Sequence, residues 1–104
     1  MSFLLQATTK LDDLDRLRAA LDWLASEVGH ADGLVALRIF QAADDPSRVT
    51  MLEEWESQEA FQRSFDTYSL EQRADFLSRL GVASEDFERA FWTSTGIEVL
   101  AGDH

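Results

Sequence analysis

Three charged side chains and a set of aromatics are the residues whose types and spacing point to chemistry. Glu53 and Trp55 stand two apart at the end of a predicted strand, inside the run Val49 to Phe65, VTMLEEWESQEAFQRSF. Arg38 is the only formal charge in the preceding predicted strand, LVALRIFQ. A plain hairpin register pairs Gln41 with Arg48. It then places Arg38, Met51, Glu53 and Trp55 on one face, with Arg38 diagonal to Glu53. A charge on a mostly apolar face needs a partner. The pair therefore predicts either a structural ion pair or the polar end of a pocket beside Trp55. Phe61, Phe65, Tyr68 and Phe76 follow on helical segments and supply either an aromatic pocket wall or an ordinary core stripe. Trp55 is correspondingly core or wall. Arg73 is a solvated cation or one that faces a phenolate or oxyanion. Trp92, on the last strand, is pocket wall or interface core.

Regular elements must position these residues. Ser2 to Thr8 reads as a strand, with Phe3, Leu5 and Ala7 on one face. Thr9 is a candidate N-cap, followed by a helix whose stripe is Leu14, Leu17, Leu21, Leu24 and Val28. Trp23 lies off that stripe. Gly29 stops the helix. Strand Leu34 to Gln41 is apolar on both faces, and Ala42 to Ser47 turns the chain into strand Arg48 to Trp55. Ser57 is the next N-cap. Ser69 and Gln72 match a capping box, so the second helix breaks and restarts there. Gly81 ends it. Ser84 to Phe87 forms one short helical turn. The last strand is expected over Ala90 to Leu100, with Gly96 as a bulge.

Composition removes several function classes. At 104 residues one domain is expected, with residues 2–100 ordered and 101–104 a loose tail. With no cysteine there is no disulfide and no thiolate chemistry. A net charge of −11 argues against nucleic acid and anionic membranes as partners. No apolar run is long enough to span a bilayer and no signal peptide is apparent, so a cytoplasmic protein is expected. Neither a nucleophile–base constellation nor a phosphate-cradling glycine loop appears, and with only two histidines no metal site is expected.

The element order is β-α-β-β-α-β, an α+β ferredoxin-like arrangement with both helices on one face of an antiparallel sheet. The helices cover one face, and the two-faced apolar strand Leu34 to Phe40 leaves the other apolar as well. A homodimer joined through the helix-free faces is therefore expected.

Gly33, the Asp44-Asp45-Pro46 turn and the series Glu53, Trp55, Ser57, Ala60, Phe61 resemble the antibiotic biosynthesis monooxygenase family of dimeric α+β barrels. The resemblance implies that barrel and an aromatic or phenolic small-molecule ligand with Trp55 walling its cavity. It also implies cofactor-independent monooxygenase chemistry; no cofactor is expected. The alternative is a non-catalytic binding or assembly dimer of the same fold. Quinone-forming members use an Asn four residues before the Trp and a Tyr six after it. Here those positions are Met51 and Phe61, and the chain has no Asn. Haem-degrading members carry an axial His on the second helix, about where Asp66 stands. His30 falls in a turn and His104 in the tail, so haem degradation is the weakest reading.

Overall fold

The computed structural model describes residues 2–29, 31–100 and 102. His30 and His104 lie outside them, as does most of the expected 101–104 tail. The elements run β1 (Phe3–Lys10), α1 (Leu14–Val28), β2 (Leu34–Ala42), β3 (Asp45–Trp55), α2 (Gln58–Thr67), α3 (Leu70–Leu80), a 3-10 turn (Ser84–Asp86) and β4 (Glu88–Thr93). The sheet order is β2-β3-β1-β4, with every neighbouring pair antiparallel. This is the ferredoxin-like topology. The barrel is a correction: β2 and β4 are both unpaired edges, so the sheet stays open. Four strands with helices on one side are too few to curl round and pair edge to edge.

The helix ends follow local chemistry. Asp13, not Thr9, caps α1 and accepts from the Asp15 amide at 2.9 Å. Thr9 stays inside β1, buried, and its hydroxyl donates to the Asp86 carbonyl. The strand continues because Lys10 still has Arg48 to pair with. Ser57 caps α2 by accepting from the Ala60 amide. Ser69 and Gln72 form the capping box that opens α3. The Arg16 side chain bonds the last carbonyls of α3, Ser78 and Arg79, and so ties the two long helices together. Arg79 in turn stacks on Trp23, 4.2 Å from the ring centroid, which accounts for an aromatic off the α1 stripe.

β4 is shorter than expected and starts earlier. Thr93 pairs with Phe3 at the start of β1, and one further bond joins the Ser94 amide to the Ser2 carbonyl. Among the described residues no further pairing joins the chain beyond Thr93 to β1. Ser94 to Leu100 therefore carries no regular structure, and Gly96 lies outside any strand rather than at a bulge. Ile97, Val99 and Leu100 are left more than four-fifths exposed.

The hairpin register also differs. Gln41 pairs with Val49, not Arg48, because β3 is irregular where Ala42 meets Asp45 and a second irregularity falls at Val35. Asp45 fixes the turn, accepting from both the amide and the hydroxyl of Ser47. These bonds hold its carboxyl below the usual aspartate range. A one-residue slip exchanges the two faces of a strand. Leu37 and Ile39 consequently face the helices, while Ala36, Arg38 and Phe40 face away.

Candidate functional site

Register assembles four rows across the helix-covered face. Row one is Leu34, Trp55, Phe3 and Thr93; row two is Leu37, Glu53, Leu5 and Phe91; row three is Ile39, Met51, Ala7 and Arg89; row four is Gln41, Val49 and Thr9. The β3 and β1 members of rows three and four seal under α1 and α3: Ala7, Val49 and Met51 cluster with Leu11, Leu17, Ala20 and Leu80, all buried, while Ile39 at the β2 edge is 37% exposed. Row one seals under α2, where Phe3, Trp55 and Ala60 form a second buried cluster. Gly33 permits this approach. A Cβ there would sit 2.6 Å from the Ala60 Cβ, and its φ of +86° suits glycine.

Row two lies between the two clusters and is not sealed. Leu5 and Glu53 are half-buried, Leu37 is 36% exposed and Phe91 53%. Aromatic rings run from it into row one: Phe91 lies 5.6 Å from Phe3 and 5.7 Å from Phe61. Phe61 meets the Trp55 ring edge-on at 5.7 Å and Phe65 at 6.0 Å. Such geometries suit aromatic quadrupoles. The polar group of this row is Glu53. Its Oε1 accepts from Trp55 Nε1 at 3.0 Å, and it makes no other hydrogen bond or ion pair among the described residues. Burial pushes its carboxyl above the usual glutamate range, and the indole bond only partly offsets this. Two surface clefts, of about 560 and 550 Å³, lie elsewhere. One is lined by Leu11, Asp13, Asp45 and Ser47 and the other by Thr8, Lys10, Arg48 and Glu88.

The structure thus brings together Glu53, Trp55, Phe61 and Phe65. Trp55, at 4% exposure, is the floor of the region and not an open wall. Arg73 reaches the same aromatics: its guanidinium stacks on Phe65 at 3.8 Å and bonds the Phe65 carbonyl, while its Nε is buried without an acceptor. Arg38 is not among them. It pairs with Glu54 on the helix-free face at 3.6 Å, so the expected Arg38–Glu53 pair is replaced by a pair with the neighbouring residue. Phe76 packs against the first buried cluster. Trp92 also lies on the helix-free face, where its Nε1 donates to Gln6 Oε1. Phe91 is the site aromatic that the sequence reading missed. The signal was its parity with Phe3 and Leu5 once β1 and β4 are paired antiparallel.

Among the described residues no helix is long and apolar enough to cross a membrane, and no cluster of three or more metal-ligating side chains occurs. A sequence model described as "Antibiotic biosynthesis monooxygenase" matches residues 4–80. No curated protein sequence is matched. Solved structures of similar fold include a Deinococcus radiodurans protein described as an antibiotic biosynthesis monooxygenase (TM-score 0.70, 18% identity, covering 96% of this chain and 99% of that one). A second is SnoaB, a cofactor-independent oxygenase from Streptomyces nogalater (TM-score 0.67, 14% identity, 92% and 94% covered). A third is the monooxygenase from the ActVA-Orf6 gene of Streptomyces coelicolor, in complex with nanaomycin D (TM-score 0.65, 19% identity, 96% and 93% covered). At these identities the three establish likeness of fold.

Proposed function

The chain belongs to the antibiotic biosynthesis monooxygenase family, and from that premise we propose that it binds an aromatic or phenolic small molecule over row two and oxidises it with dioxygen. The observation that carries this reading is the unsealed row itself: the Glu53 carboxyl and the Phe91 ring, bordered by the Trp55 indole and by Phe3 and Phe61. Covering it with a flat ring would bury Leu37 and Phe91 and exclude water from Glu53. No protein-bound cofactor is part of this reading. An electron-rich substrate ionised in such an apolar site reduces dioxygen itself, and the protein contributes desolvation and charge placement. Arg73, stacked on Phe65 and bonded to its carbonyl, borders the aromatic side of the site. Oxygen uptake with anthrone-type or hydroquinone substrates tests it: turnover well above the uncatalysed rate is expected, and none at saturating protein would overturn catalysis.

A second reading, a binding protein that does not turn over, is favoured by Met51 and Phe61. Each places an apolar group where quinone-forming relatives carry a polar one. Under it the same aromatic probes bind and no oxygen is consumed.

The active species in either reading is a homodimer joined through the helix-free faces. Phe40 and Trp92 are 51% and 54% exposed on that face, where Leu4 and Leu52 lie between them. An apolar strip of this kind spanning a sheet is the pattern of an interface.

A further inference from the structure

Glu53 is an unusual residue to find where it is. The chain carries 20 acidic side chains. This one faces the helices, in line with Leu37, Leu5 and Phe91. No cation meets it. On the covered face β1 and β2 present no charged group, β4 presents only Arg89, one row away opposite Ala7, and α3 presents Arg73, whose guanidinium is engaged with Phe65. One donor, the Trp55 indole, holds one carboxylate oxygen. A carboxylate in such surroundings lacks hydrogen-bond donors, and it gains most from a ligand that brings one.

We propose that Glu53 is the proton acceptor of this site, so that the molecule it selects is a neutral fused hydroxyarene and not a preformed anion. The inference rests on the aromatic-ligand reading above. The ligand O–H donates to Glu53 Oε2 while Oε1 stays on Trp55 Nε1. In the reaction the O–H bond breaks and its proton passes to Glu53. The electron pair remains on the ligand oxygen, and a neutral carboxylic acid and an aryloxide are left. The raised carboxyl suits this transfer, because proton transfer is favoured as the two acidities approach.

Three naphthalene probes separate the possibilities by calorimetric titration: 2-naphthol, its methyl ether and naphthalene-2-sulfonate. With the wild-type protein near neutral pH, 2-naphthol should bind at least about tenfold more tightly than either of the others. Its affinity should fall as pH drops and Glu53 takes up a proton, with the midpoint above the ordinary glutamate value. Glu53→Gln should flatten that profile and admit the sulfonate. Equal binding of the naphthol and its ether to the wild type would overturn Glu53 as acceptor while leaving an aromatic site in place. So would an unchanged pH profile in Glu53→Gln. Failure of all three probes to bind would overturn the ligand reading and this inference with it. The wild-type comparison needs no variant, so a Glu53→Gln protein that failed to fold would not block the test.

Discussion

On β3, Val49, Met51 and Trp55 face the helices and are 1%, 7% and 4% exposed, whereas Thr50, Leu52 and Glu54 face away and are all half-buried. The same strand contributes alternate residues to both sides. On the covered side helices supply the partner surface, and burial stops only at Glu53. On the open side hydrogen bonds replace packing: Thr8 meets Thr50 at 2.7 Å, Trp92 meets Gln6, and Arg38 and Ser2 both reach Glu54. Polar groups at the covered face are therefore exceptions that call for a role, while those at the open face pair with one another beside the apolar diagonal of Phe40, Leu52, Leu4 and Trp92. The contrast also says where substitutions should hurt. Changes under the helices should cost stability, and changes on the open face should alter assembly.

The largest effect is expected under α1. Leu17 is 2% exposed within the first buried cluster, and Leu17→Ala should lower unfolding free energy by about 2–5 kcal/mol in urea denaturation, with no change in oligomeric mass. A loss under about 1 kcal/mol would mean that the covered face is not close-packed and would remove the contrast. Next comes the open face. Trp92→Asp should convert the proposed dimer to a species near the 11.8 kDa chain mass in light scattering, while thermal stability of the fold shifts little. A variant that remained dimeric would place the interface elsewhere.

How far the contrast was legible in the sequence depends on the kind of signal. Caps are local, and Ser57, Ser69 with Gln72, and Gly81 act where their types placed them. Gly33 and Ala60 entered as motif letters; the contact between them is tertiary and only the fold explains both. The faces of β2 were the failure. Register there depends on two irregularities, at Val35 and between Gln41 and Ala42, which no alternation pattern announces. The slip moved Arg38 to the wrong side and made Glu53 its partner in place of Glu54. Likewise alternation continues through Val99 and predicts a longer β4, while its pairing with β1 ends at Phe3. Periodicity reports which residues could lie on a strand. It does not report whether a neighbour is there to bond them.

A smaller effect distinguishes Glu53 from a surface carboxylate. Its acidity is weakened by burial, so its proton is held to higher pH in the folded protein than in the unfolded chain. At low pH the group is neutral in both states and nothing is lost. As pH rises from the ordinary glutamate value through the raised one, the folded state must bury a charge that the unfolded chain keeps in water, and stability falls. Glu53→Gln keeps the acceptor for Trp55 Nε1 and removes the charge. The variant should be more stable than wild type at neutral pH, and the margin should vanish on acidification. A pH-independent difference in urea midpoints would show that Glu53 is solvated like its neighbours.

The smallest effect concerns Glu54, one residue further along the same strand. It faces away from the helices, and its pair with Arg38 spans 3.6 Å with the two side chains 27% and 55% exposed. At that exposure water screens most of the attraction, and holding two long side chains together costs entropy. Arg38→Ala should change stability by no more than about 0.5 kcal/mol and leave 2-naphthol affinity as in the wild type. The two glutamates then behave as the faces do: removal of charge is felt at Glu53 in both stability and binding, and loss of the cation beside Glu54 is felt in neither. A several-fold loss of naphthol affinity in Arg38→Ala would place that cation within reach of the ligand. It would mean that the site extends across the sheet edge at β2, and the separation of a binding face from an assembly face would no longer hold.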